Sequence, residues 1–89
     1  MGFLLYNYFT IKIYGGLNMD NITIGAKIYA LRKAKGVTQA DLGEYLNISY
    51  QAVSKWERDE ACPDFETISR IAKYFNVPIS YFEKDGISV

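Results

Sequence analysis

The sequence has no histidine, a single cysteine (Cys62) and only two prolines among its 89 residues. With no histidine and no second thiol, a Cys/His zinc site and an intrachain disulfide are both excluded. The same scarcity, with no paired carboxylates on a recognisable scaffold, leaves no catalytic constellation, so neither an enzyme nor a cofactor is expected. The lone Cys62 is expected to serve as a small buried apolar residue, which suits a reducing cytoplasm. Net charge is missing too, since ten basic side chains balance ten acidic ones. What the chain does have is apolar content, 49% of it, enough for one core and one compact domain.

The balanced charge is unevenly distributed. From Gly25 to Arg58 the cations Lys27, Arg32, Lys33, Lys35, Lys55 and Arg58 outnumber Asp41, Glu44 and Glu57. From Asp59 onward Asp59, Glu60, Asp64, Glu66, Glu83 and Asp85 outnumber Arg70, Lys73 and Lys84. A basic front half and an acidic back half fit a protein that turns one side toward a polyanion, or arise by chance in a short chain.

Met1 to Tyr14 are mostly aromatic and aliphatic, interrupted by Asn7, Thr10 and Lys12. The run is too short and too broken for a membrane span of roughly 20 residues. It lacks the basic start and small-residue cleavage site of a secretion signal. It is either an apolar arm that pairs or docks, or a stretch upstream of the true start. The second reading is preferred. Met19 can initiate translation, and codons for Gly15-Gly16 can spell a ribosome-binding site, with those of Leu17 and Asn18 as spacer. The expected layout is a leader over 1–18, a domain over 19–83 and a short tail over 84–89.

From Thr23 the spacing predicts five short helices and no strand. Ile24, Ile28 and Leu31 form one helical stripe, capped by Thr23 and ended by Gly36. Thr38 followed by Asp41 is a capping box that opens a second helix, with Leu42 and Leu46 inward. Gly43 inside that helix implies a close helix crossing. Asn47 is suited to a left-handed stop, Ile48 to an apolar plug and Ser49 to the next cap. The third helix places Val53 and Trp56 inward and Tyr50, Gln51, Ser54 and Lys55 outward. Asp64 caps a fourth helix with Ile68, Ile71, Ala72 and Phe75 inward, and Asn76 stops it. Pro78 begins a last short turn with Ile79 and Phe82 inward.

The informative pair is the second and third helices, joined by a tight turn. A helix with a small, polar, basic outer face fits the DNA major groove, where its first residues reach base edges. Gln51 can contact adenine, Lys55 guanine, and Tyr50 a thymine methyl or a phosphate. Gln39, at a helix start, can join backbone N–H groups in holding a phosphate. Lys27, Lys33 and Lys35 either touch phosphate or are simply solvated.

The segments IGAKIYALRKAKGVTQ (from Ile24), ADLGEYLNISYQAVSKWE (from Ala40) and PDFETISRIAKYFNVPISYF (from Pro63) together resemble the phage repressor and Cro-like helix-turn-helix family, the XRE family. The resemblance runs over residues 22 to 83. It implies an all-α, compact five-helix repressor-like domain, with phosphate contacts at Gln39 and Ser49 and base reading at Tyr50, Gln51 and Lys55, Ser54 lying on the same face. It also implies a salt bridge between Arg32 and Glu57, and Trp56 in the core. Two positions depart from the family pattern. Gly43 stands where alanine is usual, and Asp59 stands where glycine often follows the third helix, so a different turn is expected there. Many relatives carry a second, sensing domain, and regulation through one is not expected here.

The function expected is a cytoplasmic, sequence-specific DNA-binding regulator, a repressor, acting as a homodimer on double-stranded DNA without a membrane role. The tail residues Tyr81, Phe82, Ile87 and Val89 are the candidate dimer surface. Two alternatives stay open. One is an antitoxin-type regulator that also binds a toxin protein. The other is a protein-interaction module that keeps the fold and has lost DNA binding. The start at Met19 has a direct check. Protein from its native host should have an intact mass lacking residues 1–18, and a mass of 10.2 kDa overturns that start.

Overall fold

A computed structural model describes residues 22–83. It has four α-helices, α1 Ile24–Lys35, α2 Gln39–Leu46, α3 Tyr50–Glu57 and α4 Phe65–Phe75, closed by a 3-10 helix, Ile79–Phe82. The expected fifth helix is therefore a 3-10 segment of four residues. Pro78 at its N-cap makes no side-chain cap bond. Four residues are too few for an α-helical ladder, and 3-10 geometry suits such short pieces. The leader 1–18 and the tail 84–89 lie outside the described residues.

Each of the four α-helices begins on a side-chain cap. Thr23, Thr38, Ser49 and Asp64 accept hydrogen bonds from the backbone N–H of Ala26, Asp41, Ala52 and Thr67. Asp41 returns the bond by accepting from Thr38 N–H at 2.9 Å, which completes the capping box. Those bonds to Thr38 hold the Asp41 carboxyl below the usual carboxylate range. Gly36, Asn47 and Asn76 end α1, α2 and α4 in the left-handed region, with φ of 78°, 62° and 60°. Asp59 also sits there, at φ 61°. The turn after α3 thus uses the conformation that glycine adopts freely, with aspartate tolerating it through its short polar side chain.

Ile28, Leu31, Leu42, Leu46, Val53, Trp56, Ile71, Ala72, Phe75, Val77 and Phe82 form one core. α3 lies mainly against α2 and then α1, while α4 packs on α1, α2 and the closing segment. Several expectations change. Ile48 is not a plug but stays 37% exposed. Phe82 is buried in the core and so offers no free dimer surface, while Tyr81 is half-buried and packs against that core; Ile87 and Val89 lie outside the described residues. Cys62 is exposed in the α3–α4 connection, because Pro63 beside it takes the buried place. Lys27 is neither a phosphate contact nor solvated. It is buried, and its Nζ donates to Tyr81 O at 3.0 Å, tying α1 to the closing segment.

Two glycines permit close backbone approaches. At Gly43 the neighbour is the turn rather than a crossing helix: an added Cβ would lie 2.9 Å from Ile48 O. At Gly25 the fit is tighter, with an added Cβ 1.9 Å from Trp56 O and 2.9 Å from Asp59 Oδ1. The start of α1 therefore rests on the end of α3 with no room for a methyl group. Gly25→Ala should lower stability by at least about 2 kcal/mol in urea unfolding, since neither backbone can give way. Gly43→Ala should be milder, because helix propensity returns about 1 kcal/mol. A Gly25→Ala midpoint equal to the parent's would disprove that contact.

Candidate nucleic-acid interface

The geometry of α3 starts from a buried charge. Arg32, on the inner side of α1, is 7% exposed. Its Nε and Nη2 donate to the two carboxylate oxygens of Glu57 at 2.7 and 2.9 Å. Its Nη1 donates to Val37 O at 3.0 Å. Gln39 Nε2 donates to Glu57 Oε1 at 3.0 Å. The hydrogen bond with Glu57 raises the Arg32 pKa above its ordinary value, against the opposing effect of burial. One cluster thus joins α1, the α1–α2 turn, the first residue of α2 and the last residue of α3.

This fastening leaves the other side of α3 to solvent. Tyr50 is 53% exposed, and Gln51 and Lys55 are exposed. Ser54 is half-buried, and its hydroxyl accepts from Arg58 Nη1. Ser49 is exposed at the helix start, where its Oγ accepts from Ala52 N–H at 3.4 Å. These five positions share one end or one face of α3. Gln39 differs from them. Its backbone opens α2, but its amide is turned to Glu57 and not outward. Trp56, by contrast, is in the core at 8% exposed.

Three features of the site escaped the reading of the sequence. Gly25 has no local signal that sets it apart from any other helical glycine, because the atoms that crowd it belong to Trp56 and Asp59. The Gln39–Glu57 bond needs two helices to meet. The third is Arg58, the C-cap of α3, whose Nε and Nη2 donate to Glu60 Oε2 and Oε1, each at 3.0 Å. Those bonds raise the Arg58 pKa and lower that of Glu60, with Lys55 adding a weaker pull on Glu60. A basic residue two places before an acid is too common a pattern to have stood out. Among the described residues no group of acidic or cysteine side chains could hold a metal, and no helix is long and apolar enough to cross a membrane.

A family model described as helix-turn-helix matches residues 28–82. The chain is 42% identical over 53 residues to the HTH-type transcriptional activator BcrR of Enterococcus faecalis, a match covering 60% of this chain and 26% of that protein. It is 33% identical over 70 residues to repressor protein C2 of Salmonella phage P22, covering 79% of this chain and 32% of that one. The crystal structure of the P22 c2 repressor in complex with synthetic operator 9T is similar with a TM-score of 0.64 and 32% identity, covering 73% of this chain and 97% of that chain. The chain spans about a quarter to a half of the length of the curated relatives it matches.

The buried cluster can be tested by double-mutant unfolding. Glu57→Ala should cost about 3–5 kcal/mol, because Arg32 is left buried and unpaired. An apolar pair, Arg32→Met with Glu57→Leu, should recover most of that loss. A Glu57→Ala cost below about 1 kcal/mol would mean that the pair does not hold α3.

Proposed function

The chain belongs to the helix-turn-helix family whose model spans residues 28–82, and from that premise we propose that it is a sequence-specific, DNA-binding transcriptional repressor. In this reading α3 lies in the major groove with its N-terminal residues at the base edges. Gln51 pairs with adenine, Lys55 with guanine, and Tyr50 packs on a thymine methyl or a phosphate. Ser49, Ser54 and the backbone at Gln39 contact the sugar-phosphate strands, which set the register of the protein on the duplex. The protein works as a homodimer in the cytoplasm, with two α3 helices about 34 Å apart on one face of DNA.

The observation that carries this reading is the division of α3 into two sides. Val53 and Trp56 are buried and Glu57 is pinned, while Tyr50, Gln51 and Lys55 stand in solvent. A rigidly held helix with an exposed polar face is what base reading requires, because contacts are useful only when their geometry is set beforehand. The likeness to a repressor solved on its operator supports the same reading.

The test titrates the protein against DNA from upstream of its own gene and against scrambled DNA, at two salt concentrations. The expected preference for the upstream DNA is at least about 1,000-fold, and Gln51→Ala should reduce it by roughly 1–3 kcal/mol. Should the upstream DNA fail, selection from a random DNA pool should enrich one site. A pool without an enriched site overturns the repressor reading in favour of a protein-interaction module.

A further inference from the structure

The exposed cations at the C-terminal end of α3 do not stand alone. Arg58 has its guanidinium folded back along the outer face, with Nη1 on the hydroxyl of Ser54 one turn earlier. Its other edge, Nε and Nη2, is filled by both carboxylate oxygens of Glu60. That edge is the bidentate fork with which an arginine grips a phosphate, so the carboxylate occupies the seat a DNA phosphate would take. Both side chains are 54% exposed, and an ion pair so open to water is weak enough for a polyanion to displace.

The backbone holds this carboxylate in place. Asp59, at φ 61°, reverses the chain after α3, and Glu60 N–H donates to Lys55 O at 2.8 Å. Glu60 is thus fastened to the helix end by its own main chain, close to Arg58 and within the field of Lys55. A carboxylate fixed among the cations of the DNA-facing surface is costly for binding any DNA. It penalises most the complexes that rely on phosphate contacts alone.

We propose that Glu60 is a built-in competitor for DNA phosphate, holding the Arg58 guanidinium in the free protein and thereby suppressing non-specific binding. The inference rests on the DNA-binding reading and adds a residue that sets its selectivity. On non-specific DNA, α3 makes no base contacts and Arg58 stays with Glu60. On a matched site, base contacts hold α3 in the groove, and Arg58 turns from Glu60 to the adjacent backbone phosphate. The device also gives the chain's balanced charge a role, because specificity is a ratio and improves when weak binding everywhere is reduced.

The test compares four proteins, the parent chain, Glu60→Gln, Arg58→Gln and the double variant, on a duplex of random sequence over a range of salt. Glu60→Gln should bind this duplex about tenfold more tightly at low salt. The slope of log affinity against log salt should steepen by about 0.9, as Arg58 neutralises one more phosphate. With Arg58 already replaced, Glu60→Gln should change neither quantity by a comparable amount. An unchanged slope in Glu60→Gln, weaker binding, or tighter binding that persists without Arg58 would each overturn the proposal. The random-pool selection fails or succeeds independently of these slopes. A pool with no enriched site removes the repressor reading, whereas equal slopes beside an enriched site remove the competitor alone.

Discussion

A guanidinium taken out of water must have its donors satisfied, and Arg32 meets that demand with partners from two places in the chain. Glu57 takes two donors and the Val37 carbonyl a third, and Gln39 then shares Glu57. None of these groups can move far without leaving a buried charge unpaired, which costs more than the pair itself contributes. The cluster therefore acts less as a source of net stability than as a constraint on geometry. Together with the Gly25–Trp56 approach it fixes α3 to α1 at points two helical turns apart on α1.

The remaining freedom of α3 is its tilt against α2, and the turn between them settles it. Asn47 leaves α2 in the left-handed region, Ile48 N–H bonds back to Gly43 O at 2.9 Å, and Ser49 starts α3 at once. The turn lies so near α2 that a Cβ at Gly43 would press on Ile48 O. With both its inner face and its entry angle set, α3 presents Tyr50, Gln51, Ser54 and Lys55 from a rigid base. Pre-organisation of this kind reduces the ordering cost of binding. Arg58 and Glu60 stand where that rigid helix gives way to an exposed polar connection, the natural place for an exchangeable ion pair.

Much of the fold was legible because its signals are local. A hydroxyl or carboxylate before an apolar stripe marks a helix start, and Gly36, Asn47 and Asn76 mark stops, through bonds that span only three to five residues. The inward stripes of α1 and α4 follow from period alone. The site was legible in part for the same reason, since Tyr50, Gln51 and Lys55 are the residues left when Val53 and Trp56 are turned inward. Arg32 with Glu57 came only through resemblance, because 25 positions separate them and no local pattern links them.

Sequence by itself therefore determined the helix boundaries, the core stripes, the family and the outer face of α3, all of which depend on neighbours within a turn or two. Tertiary structure alone decided which polar groups are buried and with what. Lys27 reads as a surface lysine until the closing segment lays Tyr81 O over its Nζ. Cys62 reads as core until Pro63 takes the inner place. Gln39 reads as outward until Glu57 draws its amide in. In each case the deciding partner lies far along the chain, or depends on how the whole fold closes, and desolvation acts only once closure has occurred. Period and propensity describe which side of a helix faces inward; they carry no information about the distant atom that a polar side chain meets there.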